Sequence, residues 1–165
     1  MNQSNFKKIL VIKHGSLGDI VFSLEPMMAI DNTFNHSTID IVTENKFLPL
    51  LRKMNIFNKY IIDNRSGFFS TLTIIYKIIS GKYDLIIDLQ NSKRTNLYNF
   101  FSRLFSKARI NGSRSYAHDR YSIPLQGEES PTQGLFNQLE LLNINQTDFS
   151  FTWLEEDVSS LDLEN

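Results

Sequence analysis

Residues 9–30 read ILVIKHGSLGDIVFSLEPMMAI, and the order of residue types in this stretch decides the fold class. Residues 9–12 are an unbroken run of β-branched and leucine side chains, the pattern of a strand covered on both faces. HGSLGD follows, with Gly15 and Gly18 permitting a tight turn and Asp19 suited to a helix start. Apolar residues then recur at Ile20, Leu24, Met27 and Met28, one face of a helix. Pro26 lies inside that pattern and is expected to kink or break it, because proline has no N–H and crowds the preceding turn. A buried strand, a glycine turn and an amphipathic helix form the opening unit of an α/β fold.

The same alternation continues outward. Residues 38–43 (TIDIVT), 59–63 (KYIID) and 83–89 (YDLIIDL) read as strands, and 108–110 begins a short fifth one. Helices are predicted over 45–54, 66–80, 93–106 and 133–142, with Pro49 arguing against the first of these and Gly81 expected as a left-handed cap on the second. Phe68, Leu72, Ile75, Tyr76 and Ile79 share one face of the 66–80 helix. Leu97, Phe100, Phe101, Leu104 and Phe105 form a stripe on the 93–106 helix that is expected to cover a sheet face, with insertion into a lipid surface as the lesser alternative. Residues 112–131 read as loop. Strands joined by helices run parallel, so the expected architecture is a Rossmann-like open parallel sheet flanked by helices. Residues 1–148 are assigned to this domain, and 149–165 (FSFTWLEEDVSSLDLEN) to the start of a linker or an unsupported end.

Composition narrows the function classes. A chain of 165 residues with 41% hydrophobic and 21% charged side chains has room for one globular domain and is unlike disordered sequence. It has no cysteine, which excludes disulfides and thiolate metal sites and suits a reducing compartment. His14, His36 and His118 lack ligand spacing, so no metal site is expected. The apolar runs are too short for a signal peptide or a spanning helix, and the expectation is a soluble cytoplasmic protein. The net charge of −1 hides an asymmetry: all 17 Lys and Arg lie in residues 1–120, and nine of the 18 acids lie beyond them. The densest stretch runs from Lys93 to Arg120, with Asp119 as its single acid. It is either a surface for an anionic partner or a solvated face.

Ligands of open parallel sheets bind at the carboxyl ends of the strands. The first such end carries the loop from Lys13 to Asp19. It lacks both the G-x-G-x-x-G dinucleotide fingerprint and the G-K-[ST] of a P-loop. Asp19 has two compatible readings, a helix-capping carboxylate and a general base facing the strand-end cleft. For His14 a local hydrogen bond in the loop is the leading reading, and for Asp88 a ligand contact and a cap are equally open.

Residues 9–30 resemble the opening strand, glycine loop and first helix of glycosyltransferase family 9, the lipopolysaccharide heptosyltransferases. YDLIIDLQNSKRTNLYNFFSRL (83–104) resembles that family's strand ending in Asp-Leu-Gln with its following helix. Residues 108–112 (ARING) resemble the next strand, and Trp153-Leu154 with Asp157-Val158-Ser159 the approach to the interdomain linker. The resemblance implies the amino-terminal, acceptor-side half of a GT-B enzyme that transfers a sugar from a nucleotide-sugar donor to a lipopolysaccharide core or related glycan. It places the catalytic base on Asp19, with Ser16 and Gly18 beside it as substrate contacts. Lys93, Arg114 and Arg120 become the candidates for holding an anionic glycolipid or glycan acceptor. It implies no metal and no cofactor, no nucleic-acid partner, and peripheral contact with the inner membrane from the cytoplasm. Two departures stand out. Pro26 falls one residue later after Asp19 than in many members, and the carboxyl-terminal donor domain is absent, so the chain is read as partial and inactive by itself, with self-association through an uncovered face. The alternatives are a noncatalytic α/β module binding an anionic ligand and a mononucleotide-binding domain using residues 15–19.

Overall fold

The computed structural model describes residues 6–124 and 129–146. The expected linker or unsupported end at 149–165, with Trp153 and Asp157, lies outside the described residues. In chain order the elements are β1 (Lys8–Ile12), α1 (Leu17–Thr33), β2 (Thr38–Thr43), a 3-10 turn (Asn45–Phe47), α2 (Leu48–Lys53) and β3 (Lys59–Ile62). Then come α3 (Phe68–Ser80), β4 (Leu85–Asp88), α4 (Lys93–Phe105), β5 (Arg109–Gly112), β6 (Asp119–Arg120) and α5 (Pro131–Glu140).

The six strands form one sheet in the order β3-β2-β1-β4-β5-β6, and every neighbouring pair is parallel. This is the Rossmann-like open sheet expected from the sequence. The order reverses between β1 and β4, whose register sets Ile12 beside Asp88, so the loops after both strands leave the same edge together. A ligand crevice belongs at such a switch point. The sixth strand falls in a region read as loop. Two polar residues carry no periodic signal, and the strand is held by the paired bonds of the Arg109 guanidinium to Asp119, both 2.5 Å.

Each face of the sheet has its own core. Ile9 and Val11 of β1 meet α1, α2 and α5 through Leu24, Met27, Leu51, Phe136 and Leu139. Leu10 and Ile12 point the other way, toward Ile74, Ile75 and Ile78 of α3 and Tyr98 of α4. Residues 9–12 are therefore wholly buried, as an unbroken apolar strand requires.

Three local expectations are corrected. Pro26 does not interrupt α1, which runs unbroken from Leu17 to Thr33. The missing proline N–H would have bonded the Phe22 carbonyl, four residues earlier. The Thr132 hydroxyl of α5 donates to that carbonyl instead, at 3.2 Å. Gly81 is not left-handed: its φ is −65°, and Lys82 takes the left-handed position with φ 52°. Gly81 is needed for another reason, since a Cβ there would collide with the Tyr83 ring.

The third correction concerns α3 and α4. Only part of the aromatic stripe of α4 meets the sheet: Phe101 packs against the core and Phe100 is half-buried. The buried face of the helix is Thr95, Tyr98, Asn99 and Ser102, while Leu97, Leu104 and Phe105 are exposed. On α3 the buried residues are Thr71, Ile74, Ile75 and Ile78, and Phe68, Phe69, Leu72 and Tyr76 face outward. For α4 the cause is beneath it. Asp63 and Asp88 are fully buried at the ends of β3 and β4, and a buried carboxylate must be met by donors. A helix whose inner face supplies those donors has to turn part of its apolar face out.

Two substitutions test the assignment at the end of α3. Lys82→Gly relieves a left-handed lysine and is expected to stabilise by about 1 kcal/mol, whereas Gly81→Ala is expected to cost roughly 1–3 kcal/mol through the clash with Tyr83. Urea unfolding of the two variants reads both signs.

Candidate functional site at the carboxyl ends of β1 and β4

Asp19 stands in the first turn of α1 at the exposed strand-end edge. Ser16 caps the helix. Its backbone N–H and hydroxyl donate to Oδ2 of Asp19, at 2.7 and 2.9 Å, and the Asp19 N–H returns a bond to Ser16 Oγ at 3.3 Å. Both bonds to the carboxylate fall on Oδ2, which leaves Oδ1 to solvent among the described residues. The Ser16 N–H bond holds the pKa of Asp19 below the ordinary carboxylate value; burial opposes it, and the Ser16 hydroxyl and the nearby Lys13 ammonium add to the lowering. Asp19 thus completes a capping box with Ser16 through Oδ2 alone, and Oδ1 has no hydrogen bond among the described residues.

The two glycines of the loop serve different ends. Gly15 has φ 115°, and a Cβ there would lie 2.5 Å from Oδ2 of Asp19, so its lack of a side chain is what lets the carboxylate fold back over Ser16. Gly18 has only Ser16 Oγ near its missing Cβ outside its chain neighbours, at 3.7 Å. Glu44, just after β2, braces the loop by accepting from the Gly15 N–H (3.2 Å) and from Arg65 (2.7 Å). Burial opposes ionisation of Glu44, but those bonds and Lys46 outweigh it and lower its pKa.

Lys13 looks in the sequence like the polar end of a strand. It is buried, and its ammonium donates to the Leu89 carbonyl at 3.1 Å, bridging the ends of β1 and β4. Burial lowers its pKa, opposed by the charges of Asp19 and Asp88. His14 is only 1% exposed and does not face the cleft. Its Nε2 lies 3.5 Å from Asp63 and has no hydrogen bond among the described residues. Burial, moderated by Asp63, lowers its pKa to about 4, so it is neutral at physiological pH.

Two buried carboxylates organise the rest. Asp63 accepts two bonds from Arg94 (3.0 and 2.8 Å), one from the Tyr98 hydroxyl (2.5 Å) and one from the Arg65 N–H (2.9 Å). Asp88 accepts from the N–H groups of Gln90 and Asn91 and from the Asn99 amide at 2.8 Å. Burial raises its pKa against those bonds. It acts as an internal cap on the β4–α4 turn, which decides between the two readings left open by the sequence. Asn91, at φ 51°, continues the network to Gln138 and to the Ser113 N–H.

Lys93, Arg114 and Arg120 are all exposed on this same edge. Lys93 is the first residue of α4, Arg114 donates to the Asn91 carbonyl, and Arg120 donates to the Ser113 carbonyl at 3.3 Å. The basic stretch is not uniform, however: Arg94 and Arg109 are spent on Asp63 and Asp119. A hollow of about 300 Å³ opens beside Asn91 and Gln138, walled by Ile123, Pro124, Pro131 and Leu135. Asp19 does not line it and faces the open edge instead.

The sheet order and its all-parallel pairing define a Rossmann-like α/β fold, one that matches solved glycosyltransferases. Its solved structural neighbours include heptosyltransferases and a family 9 glycosyl transferase. The glycosyl transferase family 9 protein of Veillonella parvula DSM 2008 matches with a TM-score of 0.67 and 16% identity over 90% of this chain and 44% of its own. E. coli heptosyltransferase WaaC, solved with ADP-2-deoxy-2-fluoro heptose, gives 0.65 and 14% over 95% of this chain and 56% of its own. E. coli ADP-heptose LPS heptosyltransferase II gives 0.62 and 17%, over 96% and 51%. The chain thus spans about half the length of these neighbours, and at such identities the likeness is one of fold. No protein-family model matches the sequence, and no curated protein does.

His14 sets a pH dependence. Its folded pKa of about 4 lies below the ordinary 6.5, so the unfolded chain binds the extra proton and stability falls as pH drops from 6.5 toward 4. The full effect is about 3 kcal/mol. In His14→Asn, urea midpoints measured across that window are expected to vary less with pH than in the wild type; parallel profiles would exclude the assignment.

Proposed function

We propose that this chain is the acceptor-side domain of a heptosyltransferase-like glycosyltransferase. The observation that carries the reading is the Asp19 carboxylate: ionised, held by Ser16 through one oxygen, and open through the other, at the switch-point edge of a fold shared with family 9 neighbours. In the proposed step Oδ1 of Asp19 removes the proton of an acceptor hydroxyl. That oxygen bonds to the anomeric carbon of the donor sugar, and the carbon–oxygen bond to the nucleoside diphosphate breaks, the electron pair leaving with the diphosphate. A single displacement of this kind inverts the anomeric carbon. The donor is supplied by a second domain, the role that the remaining half of the neighbours' length suggests. A low pKa keeps the base ionised at neutral pH.

The acceptor is proposed to be an anionic glycolipid or glycan, met at the cytoplasmic face of the inner membrane. Lys93 is a cation at the positive end of a helix dipole, an unfavourable place that a bound phosphate or carboxylate would relieve. Arg114 and Arg120 each bond one backbone carbonyl through Nε, which leaves their terminal nitrogens available for a forked contact. Ser16 is engaged with Asp19 and acts through it, while Gly18 leaves room for the acceptor ring.

The test joins this chain to a donor-binding domain and follows transfer from ADP-heptose to a lipopolysaccharide core acceptor. Asp19→Asn is expected to lower kcat by about 10²–10⁴-fold, while the melting temperature shifts only by the loss of a charged cap. Undiminished turnover in that variant would end the assignment. Replacing Lys93, Arg114 and Arg120 together by alanine is expected to raise the acceptor KM and flatten its dependence on salt. An unchanged KM would reduce these residues to a solvated face.

A further inference from the structure

The outward faces of α3 and α4 have no role in the proposed transfer. The two helices pack side by side on one face of the sheet. Together they present Phe69 at 84% exposure, Tyr76 at 72%, Phe105 at 61% and Leu104 at 60%. Phe68, Leu72 and Leu97 extend the same surface. Isolated exposed apolar residues are ordinary, but this many large ones on the outward sides of two helices packed against each other mark a contact site.

Charge selects the partner. Neither α3 (FFSTLTIIYKIIS) nor α4 (KRTNLYNFFSRLF) contains a single acidic residue. The exposed cations Lys77 and Arg103 lie on these helices, and Lys82 and Lys107 follow their ends. A second copy docked on the same face would set these cations against their own counterparts, which disfavours self-association. Aromatic and leucine side chains interleaved with lysines, on helices too short to span, suit the boundary of an anionic bilayer, where rings enter the headgroup layer and cations meet lipid phosphates. Among the described residues no helix is long and apolar enough to cross a membrane. Between the carboxyl ends of the two helices a hollow of about 560 Å³ is lined by Lys82, Lys107 and Phe105 together with Asp84, whose Oδ2 accepts from the Lys7 and Lys8 N–H groups, so the two ammonium groups share that space with one carboxylate.

We propose that the α3–α4 face is a docking surface for an anionic lipid bilayer. This inference rests on exposure and charge alone and does not depend on the transferase reading, so the loss of either leaves the other standing.

The test is co-sedimentation of the full chain with vesicles of phosphatidylglycerol and phosphatidylethanolamine in equal parts, and with phosphatidylcholine vesicles as the neutral control. Binding is expected to the anionic vesicles, to weaken with added salt, and to be much lower on the neutral ones. Phe69→Ser with Phe105→Ser should reduce the partition coefficient at least about tenfold. Lys77→Glu with Lys107→Glu should reduce it by a similar or larger factor, since one lysine near an anionic surface is worth about fivefold. All four side chains are exposed, and circular dichroism checks that the fold is retained. Equal binding by wild type and both variants would overturn the proposal, as would no binding to anionic vesicles. A concentration-dependent dimer in sedimentation velocity, abolished by the aromatic substitutions and accompanied by no vesicle binding, would assign the face to a second copy instead.

Discussion

Two carboxylates removed from water, Asp63 and Asp88, constrain this domain more than any other interaction. They end β3 and β4, strands separated in the sheet by β2 and β1, and a single helix serves both. Arg94 and Tyr98, four residues apart, face Asp63; Thr95 and Asn99, also four apart, face Asp88. This is the helical repeat used for polar contacts instead of apolar ones. Leaving either carboxylate unmet would cost several kcal/mol, so hydrogen bonding, together with the packing of Tyr98 and Phe101, fixes the rotation and height of α4 over the sheet. The exposed part of the aromatic stripe follows from that choice.

The same restraint shapes the crevice. Because Asp88 gathers the N–H groups of Gln90 and Asn91, the β4–α4 turn is rigid, and Asn91 can hold the loops that carry Arg114 and Arg120. Lys13 bridges the same turn to β1 through Leu89, with Asp19 one short loop farther on. The base candidate and the cation candidates thus lie on one frame whose members are buried, while the groups offered to a ligand are exposed. That separation of rigid support from open functional groups is what a positioned acid–base site needs.

Much of this was legible in the residues and some was not. The unbroken apolar run at 9–12 and the strand-helix alternation led directly to a parallel sheet, and HGSLGD led to a capped helix with Asp19 at its start. The inside face of α4 was illegible because an apolar stripe is the stronger signal unless the buried partners of Tyr98 and Asn99 are known, and Asp63 and Asp88 look in sequence like ordinary strand ends. Pro26 misled for a related reason: its compensation comes from Thr132, which is distant in sequence. Lys13 carried no signal beyond its place after an apolar run. The basic stretch from Lys93 to Arg120 overstated the open charge, since Arg94 and Arg109 are taken by acids that sequence distance hides in the first case and that were visible as Asp119 in the second.

The outermost strands, β3 and β6, are four and two residues long. β6 ends in a charged Asp-Arg pair whose acid is clamped by Arg109. A border so short and so charged offers an incoming strand few backbone groups to copy, which is how open sheets avoid growing into fibrils. Crowding many such molecules together therefore brings helices into contact before strand edges, and any assembly that forms should dissolve when the helix surfaces are masked.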